Sequence, residues 1–180
     1  MKNFSMTLKR HSTASPEAIY DVLADLRTHL TWGGAQQRFG FRLLSLDAPA
    51  GPATAGTSFT STGAIPMSPR HFEDRSAVTL AVRPSRFEFV TYATAHGARG
   101  SMRATYAHRY EIVATPGGSV VTYTLTQLDI ANPILRMALP VITNMLWRVG
   151  IPFMAGRGVR NLVATAEQQA ASHTAVRQLT

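Results

Sequence analysis

The stretch SPEAIYDVLADL, residues 15–26, decides the fold because it places one amphipathic helix directly after one strand. Ser15 belongs to the residue types that cap helices, and Pro16 suits the first helical position, where no backbone donor is needed. The apolar side chains then recur on one helical face, at Ile19, Val22, Leu23 and Leu26.

Strands are predicted on both sides of this helix. Residues 4–11 alternate apolar and polar side chains, as a strand with one buried face does. A short second turn or helix is predicted over residues 28–32, and Gly33-Gly34 ends it. Further strands follow, separated by turns rich in Pro and Gly. They are predicted at residues 38–47, 57–65, 70–82, 86–96, 102–113 and 119–129.

The hydrophobic period changes from two to about 3.6 after Asn132. A last helix is predicted to begin between Pro152 and Gly158 and to run to about Ser172. Its buried stripe is predicted at Val159, Leu162, Val163 and Ala166. Two helices that bracket antiparallel strands predict an α+β fold, a curved sheet around a helix with a cavity between them. The prediction is one domain over residues 1–173 and a frayed tail over residues 174–180.

Composition excludes several classes of function. The chain has 180 residues and no cysteine, which excludes disulfides, thiolate metal sites and cysteine nucleophiles. The net charge is +8, but the 18 basic residues are scattered, whereas a nucleic-acid surface clusters them. No nucleic-acid partner is therefore predicted. No secretory signal is recognisable at the N-terminus, so a cytoplasmic location is expected.

Catalytic and cofactor motifs are absent from the sequence. There is no phosphate-cradling glycine loop, no dinucleotide fingerprint and no nucleophile elbow. No two histidines stand at close metal-ligand spacing, although pairs brought together by folding stay open. Glu73 and Asp74 are adjacent on a predicted strand, so their carboxylates point to opposite faces and cannot form a shared dyad. Neither a cofactor nor a metal is predicted.

The strand at residues 102–113 carries polar groups on an otherwise apolar face. Its predicted inner residues are Met102, Ala104, Tyr106, His108, Tyr110 and Ile112. Two tyrosines and a histidine that point inward need partners or water. Two interpretations are open: these groups satisfy one another in a packed core, or they line a ligand pocket with His108 as a proton donor or acceptor.

Neighbouring elements add residues to the same space. Tyr123 and Gln127 lie on the adjacent predicted strand, and Trp32 is either a pocket rim or a core plug. The predicted ligand-binding set is Trp32, Phe59, Phe89, Thr91, Tyr106, His108, Tyr110, Tyr123, Gln127 and Leu162. His108 is the one catalytic candidate.

The apolar segment at residues 134–153 has three interpretations. Arg136 and Arg148 lie inside it and prolines interrupt it, which argues against a membrane span. A helical lid over the cavity is favoured. The alternative is an interfacial helix in peripheral contact with a membrane, with Trp147 and Arg148 as anchors.

Several short motifs together resemble the SRPBCC, or START and birch-pollen-allergen-like, superfamily of helix-grip proteins. They cover most of the chain, in the order residues 15–26 with Trp32, then residues 56–59, 83–89, 117–123 and 159–167. The resemblance implies a seven-stranded antiparallel sheet that grips a long C-terminal helix around an apolar cavity, with two short helices between the first two strands. The superfamily contains cyclases, carriers and receptors, and it has no single catalytic signature to transfer to a residue here.

Three functions fit these patterns. The first is binding of a small hydrophobic or aromatic ligand (a lipid, a polyketide or an isoprenoid-like molecule), as a carrier, a sensor or a polyketide cyclase/dehydrase-like protein. The second is a true aromatic cyclase or dehydratase with His108 as acid/base. The third is a lipid-transfer module that docks on membranes. Both an enzyme and a carrier fit the sequence, as do a monomer and a homodimer.

Overall fold

The computed structural model describes residues 4–33, 42–65, 71–97, 100–130, 148 and 150–177. The chain forms seven strands, three α-helices and one 3₁₀ turn within these ranges. They are β1 (Ser5–Ser12), α1 (Pro16–Ala24), the 3₁₀ turn (Leu26–Thr28), α2 (His29–Trp32), β2 (Arg42–Asp47), β3 (Ser58–Ala64), β4 (His71–Val82), β5 (Arg86–Gly97), β6 (Gly100–Thr115), β7 (Gly118–Ile130) and α3 (Ile151–Arg177).

The seven strands form one curved antiparallel sheet in the order β1-β7-β6-β5-β4-β3-β2. The predicted fold class is confirmed: an α+β fold with two short early helices and a long C-terminal helix. The observed strands lie within about two residues of the predicted ones at most ends. The predicted strand at 38–47 is observed from Arg42 onward, and its first four residues lie outside the described residues.

Helix α1 begins as its sequence predicts. The Ser15 hydroxyl accepts a hydrogen bond from the backbone N–H of Ala18 at 3.3 Å, and Pro16 is the first helical residue. The predicted apolar face is buried, and Tyr20 joins it with its ring edge-to-face against Phe87 at 6.0 Å. Helix α1 therefore closes one end of the sheet's concave face.

Helix α3 begins earlier than predicted, at Ile151 rather than between Pro152 and Gly158. Pro152 is tolerated there because the first turn of a helix needs no backbone donor from that residue. The helix continues to Arg177, beyond the end predicted near Ser172, and residues 178–180 lie outside the described residues. Its predicted stripe is buried, with Leu162 and Ala166 fully enclosed.

Alternation along the strands places one set of side chains on the concave face. The register aligns Phe87 with Tyr110 and Tyr110 with Tyr123, and the next row aligns Phe89 with His108. At the end covered by α1 and the middle turns of α3, this face is filled by large side chains. We call this region the packed end; its fully enclosed members are Phe87, Val121, Ile19, Leu23 and Leu162.

The segment predicted to be a lid lies largely outside the described residues. This applies to residues 131–147 and 149, including the proposed anchor Trp147, whereas Arg148 is described and exposed. Among the helices within the described ranges, none is long and apolar enough to cross a membrane.

Candidate functional site

A cavity of about 280 Å³ lies between the rest of the concave face and the first turns of α3. Strands β2 to β7 form its floor, and α2 and α3 form its walls. Its lining residues are His29, Trp32, Gly33, Leu43, Leu46, Phe59, Ser61, Asp74, Ser76, Phe89, Thr91, His108, Tyr110, Tyr123, Leu125, Ile151, Met154, Ala155, Gly158 and Val159.

Most of the predicted ligand-binding residues come together at this cavity. Those that line it are Trp32, Phe59, Phe89, Thr91, His108, Tyr110 and Tyr123. Three others lie elsewhere: Leu162 is fully enclosed in the packed end, and Tyr106 pairs with Gln127 across β6 and β7 on the same sheet face. The cavity wall is therefore built mainly from aromatic side chains of the central strands.

Trp32 serves both roles that the sequence left open. Its side chain is 6% exposed and belongs to the core, and it also borders the cavity. The indole N–H donates to the Thr28 hydroxyl at 3.3 Å, which fixes the ring. The ring also packs against His29, with 4.4 Å between centroids. One face of the cavity is consequently a rigid aromatic surface.

His108 lies at the centre of the floor, stacked on Phe89 with ring centroids 4.3 Å apart. Its Nδ1 and the Tyr123 hydroxyl are 2.9 Å apart and share a hydrogen bond. Burial, followed by the charge of nearby His29, lowers the pKa of His108 to about 3. The ring is therefore neutral at pH 7, where it carries no imidazolium proton to donate. Its catalytic role stays a prediction.

His29 is a lining residue that sequence analysis missed. Its Nε2 is 3.0 Å from the carbonyl oxygen of Leu23, and burial lowers the pKa of the ring to about 4. A neutral ring with a carbonyl at Nε2 must carry its hydrogen there, so Nδ1 keeps its lone pair as an acceptor. The available signal was the spacing of three residues to Trp32 within the predicted helix, which puts both on one face.

Ser76 and Thr91 form a satisfied polar pair in the floor. They are register partners on β4 and β5, and their hydroxyl oxygens are 2.9 Å apart in a buried hydrogen bond. Each hydroxyl already has a partner, so the pair contributes polarity without leaving an orphaned group.

Asp74 is the second lining residue that sequence analysis missed. It shares the concave face of β4 with Ser76 and Val78, and its register partners are Ser61 and Ala93. Its Oδ1 is buried and has no hydrogen-bond partner among the described residues. Burial raises the pKa of this carboxyl to about 7. The two-residue alternation with Val78 was the signal that could have placed a carboxylate inside.

The polar groups of the wall are isolated rather than clustered. Within the described ranges, no three histidine or acidic residues come close enough to hold a metal ion. The arrangement offers apolar and aromatic contact area, one hydrogen-bonded His–Tyr pair and one unpartnered carboxyl. Such a wall suits enclosure of a small molecule with one or two polar groups.

No family model matches this chain, and no curated protein is similar to it in sequence. Solved structures are similar in fold. A putative uncharacterized protein from Rhizobium leguminosarum has a TM-score of 0.67 and 12% identity, covering 93% of this chain and 96% of that one. Protein NE0264 from Nitrosomonas europaea has a TM-score of 0.61 and 13% identity, covering 93% and 97%.

The KanY protein is also similar, with a TM-score of 0.58 and 15% identity, covering 93% of this chain and 99% of that one. At these identities the likeness concerns the fold alone. The seven-stranded antiparallel sheet and C-terminal helix are consistent with a helix-grip fold.

Proposed function

We propose that this protein binds a small hydrophobic or aromatic ligand in its cavity, as a polyketide cyclase/dehydrase-like member of the SRPBCC superfamily. The observation that carries the proposal is the cavity of about 280 Å³ walled by aromatic and aliphatic side chains. A concave pocket lined mainly by apolar and aromatic side chains with a few polar groups is the usual form of a small-molecule site. Ligand pockets typically span about 300–1,000 Å³, which favours a ligand of one or two rings.

The wall suits a flat ligand. The rings of His108 and Tyr110 are nearly parallel to the ring of Phe89, with interplanar angles of 10° and 20°. Phe59 meets Phe89 edge-to-face at 5.6 Å, which presents a perpendicular ring beside that surface. An aromatic ligand can therefore stack on one ring and meet the edge of another, the two geometries that aromatic pairs prefer.

Binding is favoured over acid/base catalysis because a pKa of about 3 leaves His108 without an imidazolium proton at pH 7 and makes its neutral ring a weak base. Enclosure of an apolar ligand requires no charged donor, whereas a cyclase with His108 as general acid would need an imidazolium near pH 7. The lipid-transfer alternative depends on Trp147, which lies outside the described residues. Both alternatives stay predictions of the sequence.

A cavity-filling substitution tests the proposal. Gly158 lines the cavity, and a Cβ built there would meet no atom within 4 Å. Gly158→Leu should therefore fill the cavity and weaken binding at least about tenfold, because the ligand loses the space it needs. The probe is benzothiophene, a two-ring apolar molecule, titrated into the labelled protein and followed by amide shifts in NMR spectra.

Ala164→Leu is the matched control, since Ala164 is exposed on the same helix. It should bind benzothiophene as the wild type does. Native mass spectrometry, followed by denaturing extraction, should also recover any co-purified small molecule from the wild type and the control but not from Gly158→Leu. Absence of saturable binding to the wild type, or undiminished binding to Gly158→Leu, would overturn the proposal.

A further inference from the structure

The Asp74 carboxyl stands apart from the other polar groups of the cavity wall. The Ser76 and Thr91 hydroxyls bond to each other, and His108 bonds to Tyr123. By contrast, Oδ1 of Asp74 is buried and accepts no hydrogen bond from any described residue. Buried polar atoms are paired in the great majority of folded proteins, so an unpaired acceptor in a cavity wall points to a partner that arrives with the ligand.

The surroundings of Asp74 leave room for such a partner. Its row of register partners across the sheet holds only small side chains, with Ser61 on β3, Ala93 on β5 and Ala104 on β6. The neighbouring row on one side carries Phe59 and Tyr106 at its outer positions, and the row on the other side carries Phe72 and Met102. The sheet surface is therefore recessed along the row of Asp74, between two rows that carry large side chains.

The chemistry of the wall decides what that ligand atom is. The Asp74 carboxyl is ionised above about pH 7, so binding is compared at pH 8.5. An ionised carboxylate accepts hydrogen bonds and donates none. His29, which also lines the cavity, has its one hydrogen committed to the Leu23 carbonyl and presents only an acceptor at Nδ1. A ligand that brings an N–H or O–H group would satisfy Oδ1, whereas a ligand that brings only a carbonyl would leave it unpaired.

We propose that Asp74 accepts a hydrogen bond from the ligand, and that the site therefore selects small aromatic molecules that carry an N–H or O–H donor over isosteric molecules that carry none. This inference rests on the proposed function, because it names the polar group of the ligand that the cavity encloses. Burial raises the pKa of Asp74 to about 7. A donor next to the carboxylate would offset that desolvation, since hydrogen bonding favours the charged form.

Matched probes test the inference. Indole and benzothiophene have nearly the same shape, but only indole carries an N–H donor; 1-indanone carries an acceptor and no donor. The wild type should bind indole about tenfold more tightly than benzothiophene, because a hydrogen bond to a charged group in a buried site adds about that factor. It should bind 1-indanone no more tightly than benzothiophene.

Asp74→Leu should abolish the preference for indole. The apolar replacement keeps a similar volume, so benzothiophene binding should persist while the indole advantage is lost. Glu73→Gln is the matched control, because Glu73 is the adjacent residue of β4, is exposed and lies on the opposite face. It should bind all three probes as the wild type does.

The outcomes separate the inference from the proposed function. Equal binding of indole and benzothiophene by the wild type would overturn the inference and leave the cavity intact as a ligand site. An indole advantage that survives in Asp74→Leu would also overturn it. Failure of every probe to bind at millimolar concentration would overturn the proposed function and the inference together.

Discussion

The two ends of the concave sheet face are built from the same strands but differ in side-chain size. At the packed end, Phe87 of β5 and Val121 of β7 are fully enclosed beneath α1. At the opposite end, which we call the open end and which includes Phe59, Ser61 and Asp74, the face borders the cavity with aromatic, small and polar side chains. Strand β5 shows the gradient within itself, from Phe87 through Thr91 to Ala93.

This difference indicates that the choice of side chains along the strands determines the position of the cavity, which is therefore not a packing defect. Helix α3 crosses both ends. Its middle turns contribute Leu162 and Ala166 to the packed end, whereas its first turns contribute Ala155 and Gly158 to the cavity. Large residues on the sheet meet apolar residues on the helix, and small residues meet small ones. Stability should therefore reside at the packed end and binding at the open end.

Truncation of phenylalanines should give the largest contrast. Phe87→Ala should lower the free energy of unfolding by about 3–5 kcal/mol, because a fully enclosed ring is lost and a new cavity is left. Phe59→Ala should cost less, about 2–3 kcal/mol, because the Phe59 ring already borders a void on one side. Urea unfolding followed by circular dichroism measures both.

The contrast depends on the difference between the two variants rather than on either value. The two rings are of the same type and both are nearly buried, at 0% and 6% exposure, so the transfer contribution is similar. A Phe59→Ala cost equal to that of Phe87→Ala would show that the open end is as tightly packed as the other, against the division drawn here.

The carboxyl at the open end should make stability depend on pH. Burial raises the pKa of Asp74 to about 7 in the folded state, above its value of 3.8 in an unfolded chain. The protonated carboxyl is therefore favoured by folding, so its contribution is fully present below about pH 4 and is lost as pH rises through about 7. Asp74→Asn removes this loss. Its free energy of unfolding at pH 8 should therefore be about 2–3 kcal/mol higher than that of the wild type.

Two buried histidines make stability depend on pH in the opposite direction. The free energies of unfolding of Asp74→Asn and Glu73→Gln must therefore be compared with each other at each pH. Burial lowers the pKa of His29 to about 4 and that of His108 to about 3. Their stabilisation is present above about pH 6.5 and is lost as pH falls through these values. The advantage of Asp74→Asn over Glu73→Gln should shrink toward pH 4, and an advantage that stays constant with pH would refute the assignment.

Much of the fold could be predicted because local signals agree with it. Ser15 and Pro16 marked the start of α1, and the alternation along β6 placed Tyr110 and Ile112 inside. Helix α3 was harder at its start, since Pro152 and Gly158 weaken the periodic signal although a first turn accommodates proline. The family resemblance implied a seven-stranded antiparallel sheet, but the order of its strands was not predicted, because pairing between distant strands leaves no local mark.

Apart from Thr91, the lining residues that could be predicted are aromatic. Phe89, His108 and Tyr123 stood out as large or polar residues on an inward face, and they line the cavity. Asp74 did not stand out, because a carboxylate in a strand is expected to face water and only the three-dimensional register puts it beside Ala93. The core is predicted from the rule that inward-facing positions are apolar. Polar residues that line a cavity do not follow this rule, so the prediction does not include them.

The substitution with the smallest expected effect tests whether the cavity beside Gly158 of α3 is empty. Gly158→Ala adds a methyl group where no atom lies within 4 Å, so it should gain the full helix preference of alanine, about 0.5–1 kcal/mol. Ala164→Gly, at an exposed position of the same helix, calibrates that preference and should lose about as much. Thermal unfolding of the two single variants measures both values. A gain at residue 158 well below the loss at residue 164 would mean that the methyl group meets resistance, and the open end would then be smaller than the cavity described here.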